Sequence, residues 1–96
     1  MRTMMRVEIP VESGNRGIND GSLPKVIEEV FGHIRPEAAY FTTHDGRRCA
    51  YVFFDLKDTS DIPSIAEPFF MNLNAGVEFL PCMNQEDLQV GLGKLQ

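Results

Sequence analysis

Residues 39–56 constrain the fold more than any other stretch: Ala-Tyr-Phe-Thr-Thr-His-Asp-Gly-Arg-Arg-Cys-Ala-Tyr-Val-Phe-Phe-Asp-Leu. Asp45-Gly46 suits a two-residue hairpin turn in which both central residues take positive φ, which glycine adopts freely and aspartate tolerates. That turn sets Thr42 opposite Cys49, Phe41 opposite Ala50, Tyr40 opposite Tyr51 and Ala39 opposite Val52. Side chains alternate faces along a strand. One face of the hairpin therefore carries Ala39, Phe41, Ala50, Val52, Phe54 and Leu56, all apolar, and reads as core. The other carries Tyr40, Thr42, Cys49, Tyr51, Phe53 and Asp55. It is amphiphilic and needs a partner of its own.

The 96 residues suffice for one domain, 1–96, with a single core and no staples. An apolar fraction of 43% and a charged fraction of 24% belong to a globular chain rather than a disordered one. A formal charge of −5 argues against nucleic-acid binding, which rests on neutralising phosphates. No apolar run approaches the roughly 20 residues of a membrane helix, and 1–7 read as a strand rather than a signal segment. A cytoplasmic protein with neither membrane nor nucleic acid among its partners is expected. Cys49 and Cys82 lack metal-ligand spacing and read as reduced thiols.

Met5, Val7 and Ile9 alternate with Met4, Arg6 and Glu8 in a first strand over 2–10 that Pro10 ends. Residues 11–21 hold three glycines and two asparagines and read as a flexible surface loop, with a lid or anion-contacting loop as the alternative. Leu23, Val26, Ile27, Val30, Phe31 and Ile34 form an apolar stripe at helical spacing, so 23–34 is expected to be a helix with Ser22 as its N-cap. Ile62, Ile65, Ala66, Phe69, Phe70 and Leu73 repeat the spacing over 61–73, where Pro68 predicts a kink or an early end. A last strand over 76–83 is placed at a sheet edge by Pro81. Asn84 and Asp87 have the spacing of a capping box and open a short helix in the tail 84–96, with Leu88, Leu92 and Leu95 on one side.

This order predicts an α+β fold of the ferredoxin-like β-α-β-β-α-β kind. With right-handed crossovers its antiparallel sheet takes the order 4-1-3-2, with two helices on one face and a short helix at the end. Two strand spacings, about 9.6 Å, then separate Cys49 from Cys82, too far for a disulfide. The helix-covered face is expected to hold Met5, Val7, Ile9, Phe41, Val52, Phe54, Val77 and Phe79. The opposite face holds Met4, Arg6, Glu8, Tyr40, Thr42, Cys49, Tyr51, Phe53, Glu78, Leu80 and Cys82. A contiguous apolar patch of that kind marks an interface or a groove, and the simplest solution is a homodimer that packs sheet against sheet in an isologous contact.

The element order, the size and this amphiphilic second face resemble the dimeric α+β barrel superfamily. Segments 36–41 and 62–70 are similar in pattern to small bacterial proteins of that kind. The superfamily includes small ligand-binding proteins, muconolactone isomerase-like enzymes, antibiotic-biosynthesis-type monooxygenases and haem-degrading enzymes. The resemblance implies a homodimer packed sheet against sheet. It covers 2–83 and brings no catalytic motif that matches residue by residue.

The site candidates are therefore read from the strands themselves. Arg6, Glu8, Tyr40, Thr42, Tyr51, Phe53 and Glu78 are expected to line the second face, as an interface or as the wall of a pocket for a small organic ligand. Carboxylates there would serve as general acids or bases, arginine would hold a carboxylate, and tyrosines would donate to an enolate or phenolate oxygen. Cofactor-independent isomerisation or oxygenation of a small aromatic or lactone-like substrate is the enzymatic alternative. The plainer reading is that Arg6 and the glutamates pair with one another. His44 reads as a surface turn residue, with a mobile acid/base as the alternative. No cofactor and no metal are expected.

Overall fold

The computed structural model describes residues 1–95, so Gln96 of the expected tail helix lies outside the described residues. Asp45 and Gly46 take φ of 52° and 75°, and the hairpin closes in the register that this turn dictates. Its strands are β2 (Ala38–His44) and β3 (Arg47–Asp55). β3 pairs antiparallel with β1 (Arg2–Ile9), and β1 pairs antiparallel with β4 (Gly76–Pro81). The four-stranded sheet runs β2-β3-β1-β4, and Pro81 lies on an edge strand that ends two residues short of the expected 83. Counted from the β4 edge, these are the neighbours of the order 4-1-3-2.

The expected fold is corrected in its helices and in the order of its elements. The chain runs β-α-α-β-β-α-β-α, with four α-helices, where two over the sheet and a short terminal one were expected. The additional helix is α1 (Val11–Asp20), in the stretch that reads as a loop. Its buried residues are Ser13, Gly14 and Gly17, so it meets the domain with its smallest side chains. Gly17 is needed for that approach: a β-carbon there would lie 2.9 Å from Leu23 Cβ and Leu73 Cδ2. Of the three glycines that suggest flexibility in the sequence, Gly17 lets α1 approach Leu23 and Leu73 closely, and Gly14 lets it approach β1 and β3.

Gly21, with φ of 82°, ends α1 and admits α2 (Ser22–Ile34). This also corrects the expected cap. Ser22 is the first residue of α2, its N–H donates to Asp20 Oδ1 at 2.8 Å, and the N-cap is Gly21. A short 3₁₀ turn, Thr59–Asp61, leads into α3 (Ile62–Leu73), which runs on through Pro68 instead of ending there. α4 (Gln85–Gly93) starts with the reciprocal Asn84–Asp87 capping box.

The core lies between the sheet and α1, α2 and α3. Met5, Val7, Ile9, Val52 and Phe54 from the sheet meet Val26, Val30, Ile65, Phe69 and Leu73 from the helices, all buried. Phe79 joins Phe54 edge to face at 6.4 Å between ring centroids, and Val77 packs against the same cluster. Phe41 departs from the expected core. It faces the helical side but is 60% exposed, because the helical layer leaves the β2 edge uncovered. The Phe31 ring of α2 stacks on it with 6.2 Å between ring centroids.

α4 stands apart. None of its residues is buried, and Leu88, Val90 and Leu92 are exposed, as is Leu95 just beyond it. The molecule measures 55 × 28 × 18 Å with a radius of gyration of 15.1 Å, against about 13 Å for a compact chain of this length. Among the described residues, no helix is long and apolar enough to cross a membrane.

Candidate functional site

The face of the sheet that no helix covers is built in rows by the strand register. Leu80, Met4 and Phe53 stand side by side across β4, β1 and β3. In the next row, Glu78, Arg6, Tyr51 and Tyr40 cross all four strands. Beyond it come Glu8, Cys49 and Thr42. The alternation of β1 explains why Met4, Arg6 and Glu8 stay half-buried while Met5, Val7 and Ile9 are buried beneath the helices.

The charged residues of this face are engaged with one another. Arg6 Nη2 donates to Glu78 Oε1 at 2.6 Å and lies 3.8 Å from Glu8 Oε2. Arg47 Nη1 donates to the other oxygen of Glu8 at 3.1 Å. Two guanidinium groups and two carboxylates thus alternate in a chain. The hydrogen bond that Arg6 donates to Glu78 holds its guanidinium above its ordinary pKa; desolvation opposes the rise, and the negative charge of Glu78 and then Tyr51 add to it.

Arg6 also reaches over β3 toward β2, where its Nη1 lies 3.4 Å from His44 Nε2. The same Nε2 is 3.3 Å from Asp45 Oδ2. A neutral Nε2 accepts from Arg6, whereas a protonated one donates to Asp45, so the imidazole serves one neighbour at a time. This span crosses the side of β3 that bears Cys49, which is 3% exposed. Both cysteines are free thiols.

Of the seven residues that the sequence singles out, the structure joins Arg6, Glu8 and Glu78 in one ion chain and sets Tyr51 beside it. Tyr40 lies opposite Tyr51 on the edge strand and is 65% exposed. Thr42 is exposed beside Cys49. Phe53 belongs to the apolar row, away from the charges. Sequence reasoning missed Arg47 and His44 as members of the cluster. Arg47 was within reach of the register: it is two residues from Cys49, the partner of Glu8, and so shares that face. Glu8, Arg47 and Glu78 also border a depression of about 540 Å³ beside Phe70, open to solvent. Among the described residues, no three His, Cys, Asp or Glu side chains gather in a metal-holding group.

No known protein family model matches the chain, and no curated protein matches it. Among solved structures it is similar to a de novo designed protein, Ferredog-Diesel. The TM-score is 0.52 at 11% identity, over 84% of this chain and 85% of the designed one. A likeness at that identity concerns the fold alone. The class defined is a small α+β protein with a four-stranded antiparallel sheet and a ferredoxin-like designed neighbour.

Proposed function

We propose that the chain is a homodimeric assembly domain that packs the helix-free side of its sheet against the same side of a second copy. The observation that carries this reading is the row Leu80, Met4 and Phe53, three apolar side chains abreast on a face no helix covers, with Leu80 43% exposed. Tyr51 and Tyr40 extend it toward β2. Apolar residues so arranged, rimmed by charge, are the pattern of an interaction surface. A two-fold contact suits the face because the charges of its ion chain are already paired within each copy, so an isologous contact there buries no unpaired member of that chain. The resemblance to the dimeric α+β barrel superfamily supports the same packing.

The enzymatic alternative, cofactor-independent isomerisation or oxygenation, asks Glu8 or Glu78 to act as a base. Each would first have to leave its arginine, so the ion chain favours assembly. Sedimentation equilibrium across nanomolar to micromolar concentrations tests the reading. A monomer–dimer equilibrium is expected, weakened by Tyr40→Ala or Phe53→Ala. A wild-type chain that stays monomeric throughout, or variants that dimerise as well as it does, would sink the assignment.

A further inference from the structure

A second site lies on the other side of the sheet, where α2 fails to cover β2. There a cleft of about 360 Å³ opens between the helix and the hairpin. Leu23, Ile27 and Phe31 of α2 form its roof, Phe41 and Val52 its floor, and Phe69 of α3 its far wall. Its volume falls at the small end of ordinary ligand pockets, about 300–1,000 Å³. The lining is apolar apart from Cys49, Thr42 and the mouth, where Thr43 and Arg48 stand opposite each other on β2 and β3.

Arg48 is the informative residue. Its Nη2 donates to Asn15 Oδ1 at 3.0 Å and its Nη1 to the Val11 carbonyl at 3.4 Å, both on α1. Two of its five N–H groups are thereby used, both on neutral acceptors. Among the described residues no carboxylate pairs with it, although the chain carries 14 acidic residues and the neighbouring Arg47 is paired. A guanidinium fixed by neutral groups at the mouth of an apolar cleft is complementary to a carboxylate, which it can hold by its remaining donors.

We infer that this cleft binds a small organic carboxylate with an aryl or short aliphatic body, the carboxylate on Arg48 and Thr43 and the body between α2 and the hairpin. The site goes beyond the dimer reading and is independent of it, since the cleft and the proposed interface lie on opposite sides of the sheet.

Protein-observed nitrogen–proton NMR titration with phenylbutyrate, octanoate and the two matching amides tests the inference. Shifts are expected in α2 and the hairpin, with the acids binding about tenfold or more tightly than the amides, the scale of a hydrogen bond to a charged group. In Arg48→Gln the acids should fall to the level of the amides, while Arg48→Lys retains part of the preference. Equal binding of acid and amide to the wild type overturns the inference without recourse to any variant. So do shifts confined to the helix-free face, and so does an absence of binding at millimolar ligand.

Discussion

Arg48 packs its Nη1 against Gly14: a β-carbon on residue 14 would collide with that nitrogen and stand 3.3 Å from Ile9 Cγ2. The helix read as a loop is thus fitted to one side chain of the hairpin. Gly14→Ala sets two effects against each other. Alanine gains about 1 kcal/mol of helix propensity, whereas overpacking costs about 1–3 kcal/mol. Because the guanidinium is tethered at both ends of its fork, the clash should win. Urea unfolding is expected to show a net loss of stability. The control is Gly32→Ala in α2, where no atom lies within 4 Å of the new β-carbon and a gain of about 0.5–1 kcal/mol is expected.

Phe69 is 2% exposed and joins two regions, the core proper and the far wall of the cleft. Phe69→Ala should cost about 3–5 kcal/mol by removing buried apolar area and leaving a cavity. A loss under about 1 kcal/mol on urea unfolding would mean that the cleft collapses to fill the space, and would remove its floor-to-wall geometry.

The dimer interface can be located by a pair of substitutions. Phe53→Ala, on the helix-free face, should raise the dimer dissociation constant by about tenfold or more, as truncating an aromatic anchor does. Met71→Ala should leave it unchanged, since Met71 is 74% exposed on α3, away from that face. Equal effects in sedimentation would contradict a sheet-to-sheet contact.

Asp58 gives a prediction in pH. Its Oδ1 accepts from Ser60 Oγ at 2.7 Å and from Ser60 N at 2.9 Å. These bonds, the hydroxyl's first, lower its pKa from the ordinary 3.8. A folded-state pKa below the unfolded one contributes stability that is present above pH 3.8 and is lost as the pH falls through the lower folded value. Carboxyl NMR should place the Asp58 midpoint below 3.8, and Ser60→Ala should move it back up. A midpoint at or above 3.8 in the wild type would show that the cap does not form.

The parts of the fold that the sequence discloses are those where periodicity and burial coincide. The Asp45-Gly46 turn determines the hairpin register, and the stripes led by Leu23 and Ile62 locate α2 and α3. α1 escapes because the side chains it buries are Ser13, Gly14 and Gly17, which carry no hydropathic signal; its packing comes from the absence of bulk. The meeting of Arg6, Glu8 and Glu78 follows from register alone, which is why it was legible. The exposure of Phe41 and the cleft beside it depend on how far α2 reaches across the sheet, and that is set by three-dimensional packing among α1, α2 and α3.

α4 begins with a complete capping box, and one ion pair, Arg2 Nη1 to Asp87 Oδ2 at 3.3 Å, links it to the sheet. A helix of 9 residues with no buried side chain must hold itself together, and isolated helices shorter than about 12–15 residues are marginal in water. Its amides are therefore expected to exchange with solvent at rates set by local fraying, orders of magnitude faster than those of β1 and β3, which open only with the whole domain. The tail and the sheet thus form two thermodynamic units in one chain: the tail can melt, or bind and order, without taxing the stability of the core.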